Sequence, residues 1–91
     1  MDLQELRRKI DAIDGEMILL FERRMKIAAE IAEYKRENNL PVFDPERERQ
    51  KLQDLSGMAK KEHGAHVEAL FSLIFEISRA EQEKILNSEE V

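Results

Sequence analysis

The chain has no cysteine, no tryptophan, one tyrosine, two prolines and three glycines in 91 residues. Each scarcity excludes something. Without cysteine there is no disulfide, no thiolate metal site and no cysteine nucleophile. With so little proline and glycine, few points interrupt regular backbone, and alanine, leucine, glutamate, lysine and arginine dominate, which is an all-α composition. No apolar run approaches the roughly 20 residues of a membrane-spanning helix, and the first residues are polar and charged. The cytoplasm is therefore the default expectation. The net charge of −5 argues against nucleic acid and against anionic membrane surfaces, whose partners carry a basic face. His63 and His66 are the only histidines, and no third ligand accompanies them, so a solvated turn is expected there rather than a metal site.

What is there is one long helical stretch, from Leu3 to Asn38. Its apolar positions run Leu3, Leu6, Ile10, Ile13, Met17, Leu20, then Ile27, Ile31 and Tyr34. The steps alternate three and four, the seam of a helix that packs lengthwise on others. Arg24 occupies one seam position, between Leu20 and Ile27. A guanidinium packed in such a seam costs several kcal/mol unless an anion meets it. A helix of this length spans roughly 54 Å. A compact domain of this size has a radius of gyration of about 12 Å. The helix is too long for its own domain, so a second copy of the chain is expected to cover it, in an intertwined homodimer with a two-fold axis. An ordinary coiled coil would need neither Arg24 nor two further helices.

The chain reads as a single domain, residues 1–91, with helices at about 3–38, 45–62 and 66–86. Asp2 and Glu5 suit the first N-terminus, Asn38 and Asn39 end that helix, and Pro41 blocks its continuation. Asp44-Pro45-Glu46 opens the second helix as N-cap, first-position proline and first-turn acid. Glu48 leads the apolar line of Leu52, Leu55 and Ala59, and Gly64 is the expected C-cap, after Lys60 and Lys61. The third helix carries two stripes: Val67, Leu70, Ile74, Ile77, and Phe71, Phe75, Ser78, Gln82, Ile85. Gly15 sits inside the first helix at a cost of about 1 kcal/mol, with close approach of another helix as one possible reason.

Every helix thus carries polar groups where its pattern asks for apolar ones. The first supplies Arg24, with Arg7 and Lys35 beside the seam; the second, Arg47 and Glu48; the third, Ser78 and Gln82 one turn apart. Singly, these read as solvated surface, a Glu48–Arg24 ion pair, or a core hydrogen bond. Together they fit one polar pocket inside a helical bundle. Arg24 and Lys35 lie about 16 Å apart along the axis and nearly on one face, so both side chains can lean toward one small ligand. Arg7 is about 25 Å from Arg24 and can reach that ligand only from an antiparallel partner helix.

Leu6-Arg7-Arg8-Lys9-Ile10 followed by Ile13-Asp14, the Arg23-Arg24 pair, Lys35, the run from Pro41 to Arg49, and Ser78 with Gln82 make the chain similar to the all-helical class of chorismate mutase, from Leu3 to about Leu86. The resemblance implies an intertwined dimer of three-helix chains that converts chorismate to prephenate, on the shikimate-pathway route to phenylalanine and tyrosine. It implies that Arg7 of the partner chain and Arg24 hold the substrate's carboxylates. Lys35 and Gln82 would face the ether oxygen, Glu48 and the backbone at Asp44 the ring hydroxyl, with Arg47 and Ser78 completing the lining. The sequence departs from the family's pattern at Gly15, at Phe43, where a polar residue is frequent, and at Ile77, where an acid is frequent.

The implied chemistry is a Claisen rearrangement. It is unimolecular and needs no nucleophile, metal or cofactor, only a folded substrate and stabilisation of charge growing on the ether oxygen. In the implied site four cations, Arg7, Arg24, Lys35 and Arg47, exceed two carboxylates, Asp44 and Glu48, by the charge of a dianion. A lyase acting on isochorismate is the nearest alternative within the fold, and Glu48, suited to chorismate's hydroxyl, favours the mutase. A helical dimerisation module without activity is the alternative from another class.

Overall fold

The computed structural model describes residues 2–88. Its helices are α1, Leu3–Glu37; α2, Pro45–Met58; and α3, Gly64–Leu86, with a short 3-10 turn, Lys61–His63, between the last two. Each start and stop has a local cause. The Asp2 side chain accepts a hydrogen bond from the Glu5 backbone N–H at 2.9 Å and caps α1. At the other end Asn39 takes the left-handed conformation, with φ 56°. Leu40 N–H then donates to the Lys35 carbonyl at 2.8 Å and Asn39 N–H to the Arg36 carbonyl at 3.4 Å. This is a Schellman turn, with asparagine in the place where glycine is commonest. Asp44 caps α2 in its turn, accepting from Arg47 N–H at 3.1 Å, and Pro45 follows as the first helical residue.

The link between α2 and α3 differs from the sequence expectation. Helix α2 stops at Met58 rather than near 62, α3 begins at Gly64 rather than 66, and Ala59 is extended, with ψ 163°. Gly64 does not cap α2, whose C-cap is Ala59: its φ of −53° and ψ of −47° are right-handed helical, it opens α3, and it is buried against α2. Ser56 Oγ donates to the Gly64 carbonyl at 3.2 Å, and a Cβ on Gly64 would stand 3.0 Å from that hydroxyl. The contact explains the early stop. Eight more helical residues would carry Gly64 about 12 Å beyond Ser56. The chain must instead turn back after Met58 for α3 to lie on α2.

Helix α3 packs against both α1 and α2 and is the centre of the chain. Its stripe of Phe71, Phe75, Ser78, Gln82 and Ile85 faces inward, with Phe75, Ser78 and Gln82 buried. Leu70, of the other stripe, is exposed. Opposite, α1 buries only Ala28 and Ala32, small residues that admit α3 closely. The connection contributes Val42, also buried. The nine apolar seam positions of α1, Leu3 to Tyr34, are each 44–61% exposed. The chain measures 56 × 30 × 14 Å, and its radius of gyration of 16.7 Å exceeds that of a compact domain of this length, about 12 Å. No helix of the described residues is long and apolar enough to cross a membrane.

Candidate active site

Where α1, the α1–α2 connection, α2 and α3 converge they leave a groove of about 880 Å³. Arg24, Lys35, Asp44, Arg47, Glu48, Ser78 and Gln82 all line it. Arg7 does not; it lies exposed, four turns and more up α1.

The Schellman turn places Lys35. Its backbone carbonyl accepts from Leu40, and its Nζ donates to the Val42 carbonyl at 2.8 Å, so the turn that ends α1 also ties down the ammonium. Asp44 spends its side chain on the α2 cap. Its backbone N–H has no hydrogen-bond partner among the described residues. On α3, the Gln82 side-chain NH2 donates to Ser78 Oγ at 3.0 Å, across one turn. Gln82 Oε1 is buried and has no partner among the described residues. An orphaned buried acceptor costs about 1–3 kcal/mol. Either amide orientation has the same shape, so the carbonyl can take the Ser78 hydroxyl and free the NH2 instead.

The Glu48–Arg24 ion pair, one of the readings the sequence left open, does not form. Among the described residues Arg24 meets no carboxylate; its guanidinium carbon lies 5.3 Å from the centroid of the Phe75 ring, a cation–π contact that leaves the charge unneutralised. Glu48 pairs with Arg79 of α3, not with Arg24. Arg79 also sits over the Phe43 ring, 4.7 Å from its centroid. Arg79 has no place in the sequence-derived constellation, because a single arginine 100° round the helix from Ser78 reads as surface. Arg23, Lys26 and Lys51 likewise line the groove unanticipated. In all, seven lysines and arginines and three carboxylates line it, in a chain whose net charge is −5. Positive charge is concentrated here, and the cavity suits a small polyanion. Among the described residues no cluster of histidines and carboxylates has the arrangement of a metal site.

Residues 6–83 match the family model described as chorismate mutase type II. The chain belongs to this family. It is 33% identical over 87 residues to the chorismate mutase of Methanocaldococcus jannaschii, across 92% of this chain and 87% of that protein. It is 39% identical over 88 residues to a bifunctional chorismate mutase/prephenate dehydratase of Buchnera aphidicola, across 94% of this chain and 23% of that protein. The corresponding Escherichia coli protein is 37% identical over 86 residues, across 92% of this chain and 22% of its own length. The chain thus spans about a quarter of the bifunctional relatives it matches. All eight site residues that the resemblance implies, from Arg7 to Gln82, fall within the stretch matched by the chorismate mutase type II model.

Proposed function

We propose that the chain is one chorismate mutase domain, an isomerase converting chorismate to prephenate, acting in the cytoplasm as a homodimer with two shared sites. The observation that carries this reading is the cationic groove, into which three helices and a connection bring seven of the eight residues of the family's pattern. Arg24, which meets no carboxylate among the described residues, binds one substrate carboxylate; Arg7 of the partner subunit binds the other. Lys35 supplies a compact positive charge at the ether oxygen. Gln82 donates its NH2 to the same atom once Ser78 holds its carbonyl, which also relieves the orphaned acceptor. Glu48 and the Asp44 backbone N–H take the ring hydroxyl, and Arg47 closes the lining.

The reaction asks little more of the protein. One C–O bond breaks as one C–C bond forms within a single molecule, and the barrier falls when the extended substrate is held folded and the oxygen's growing charge meets fixed donors. No cofactor takes part in this reading. The exposed seam of α1 supports the dimer: nine large apolar residues in register ask for a cover, and a second α1 running antiparallel has a matching seam and brings its Arg7 toward the groove. Adding chorismate to the protein and following its absorbance, with prephenate identified as product, tests the activity. Pyruvate released from isochorismate, with chorismate untouched, would assign the groove to lyase chemistry instead. A monomer at micromolar concentration would remove the shared site.

A further inference from the structure

Arg79 of α3 touches both α2 and the α1–α2 connection. Its guanidinium pairs with Glu48 in the first turn of α2 and lies over Phe43 in the α1–α2 connection. Nη1 donates to Glu48 Oε1, which leaves Oε2 unengaged by Arg79. Phe43 is 52% exposed, so hydrophobic burial alone does not fix it; the cation above its face does. Phe43 adjoins Val42, whose carbonyl receives the Lys35 ammonium. Through one side chain, the orientation of Glu48 and the seat of Lys35 are coupled to α3, the helix that carries Ser78 and Gln82. Phe43 is also where the sequence departs from the family's frequent polar residue, and in this chain the aromatic ring is matched by the cation across from it.

Resting on the mutase reading, we propose that Arg79 is a positioning residue: it holds Glu48 by one carboxylate oxygen so that the other accepts the ring hydroxyl of the substrate, and it pins Phe43, between the groove-lining Val42 and Asp44. Arg79 does not touch the reacting atoms. Its loss therefore weakens substrate binding more than it slows the bound substrate.

The test is a cycle of four proteins, wild type, Arg79→Met, Glu48→Gln and the double variant, assayed for chorismate turnover and for urea unfolding. Arg79→Met loses about tenfold in kcat/KM, the equivalent of one charge-assisted hydrogen bond, with most of the loss in KM. In the Glu48→Gln background the same replacement costs less than about twofold, since there is no carboxylate left to orient. Arg79→Lys keeps a cation beside Glu48 and stays within about threefold of wild type. Phe43→Ala leaves the ion pair and raises KM by less than Arg79→Met does. An Arg79→Met effect that is as large in the Glu48→Gln protein overturns the assignment, because a brace or a general electrostatic attraction would act without Glu48. So does Arg79→Met activity within twofold of an active wild type. If Arg79→Met fails to fold, Arg79→Lys and Phe43→Ala decide: a tenfold loss in Arg79→Lys, or unchanged KM in Phe43→Ala, overturns it. A wild type that does not turn over chorismate overturns the reading of the groove itself, and the role of Arg79 with it.

Discussion

Replacing Arg24 with methionine separates a residue kept for its ligand from one kept for the fold. Arg24 is half-buried and stacks on Phe75 at 5.3 Å, with no carboxylate of the described residues against it. Methionine fits the same seam, between Leu20 and Ile27. The structural change nearly cancels. Losing the cation–π contact costs about 0.5–2 kcal/mol. A thioether against the same ring returns about 0.3–1.5 kcal/mol, and the partly desolvated charge disappears. Stability should therefore stay within about 1 kcal/mol of wild type and can rise. Catalysis has no such compensation. A guanidinium fork on a substrate carboxylate is worth roughly 3–4 kcal/mol, comparable with removal of one transition-state donor. That is a loss of about 150-fold to nearly 1,000-fold in kcat/KM. Urea unfolding curves and initial rates of chorismate disappearance, on the same preparations, measure the two quantities. A protein that keeps its turnover but loses several kcal/mol of stability would refute the reasoning and make Arg24 a brace for Phe75.

Three other outcomes are expected. Arg7→Ala and Lys35→Ala chains, each inactive alone, regain about a quarter of wild-type activity when mixed equally and allowed to exchange, since half the dimers are hybrids and each hybrid has one intact site; no recovery after verified exchange contradicts a shared site. Gln82→Glu is active only at acidic pH, where the carboxyl keeps a proton to donate; activity falls tenfold per unit as pH rises above its pKa, and a flat profile to neutrality would show that position 82 does not donate. Gly15→Ala raises stability by about 1 kcal/mol, because its added Cβ meets no other part of the described residues within 4 Å and the position is roughly 160° round α1 from the middle of the seam. A weakened dimer in that variant would place a partner helix against Gly15.

The three helices and their order were legible because each rests on local chemistry, whereas the face of α1 that packs on α3, Ala28 and Ala32, was not. Alternating steps of three and four set the seam, Asp44-Pro45 set the start of α2, and Asn39 with Pro41 set the end of α1. Part of the groove was legible for a related reason: Arg24, Ser78 and Gln82 interrupt apolar periodicity, and such interruptions stand out in one dimension. Periodicity orients a residue only about its own helix axis. It does not say which of two stripes on α3 turns inward, that Glu48 meets Arg79 rather than Arg24, or that Phe75 lies beneath a guanidinium. Those follow from the angles at which α3 crosses α1 and α2. These angles depend on small contacts such as Ala28 and Ala32 against α3, and the Ser56 hydroxyl on the Gly64 carbonyl. The chemistry of the residues is written along the chain, whereas their pairing is settled only when helices distant in sequence come to rest on one another.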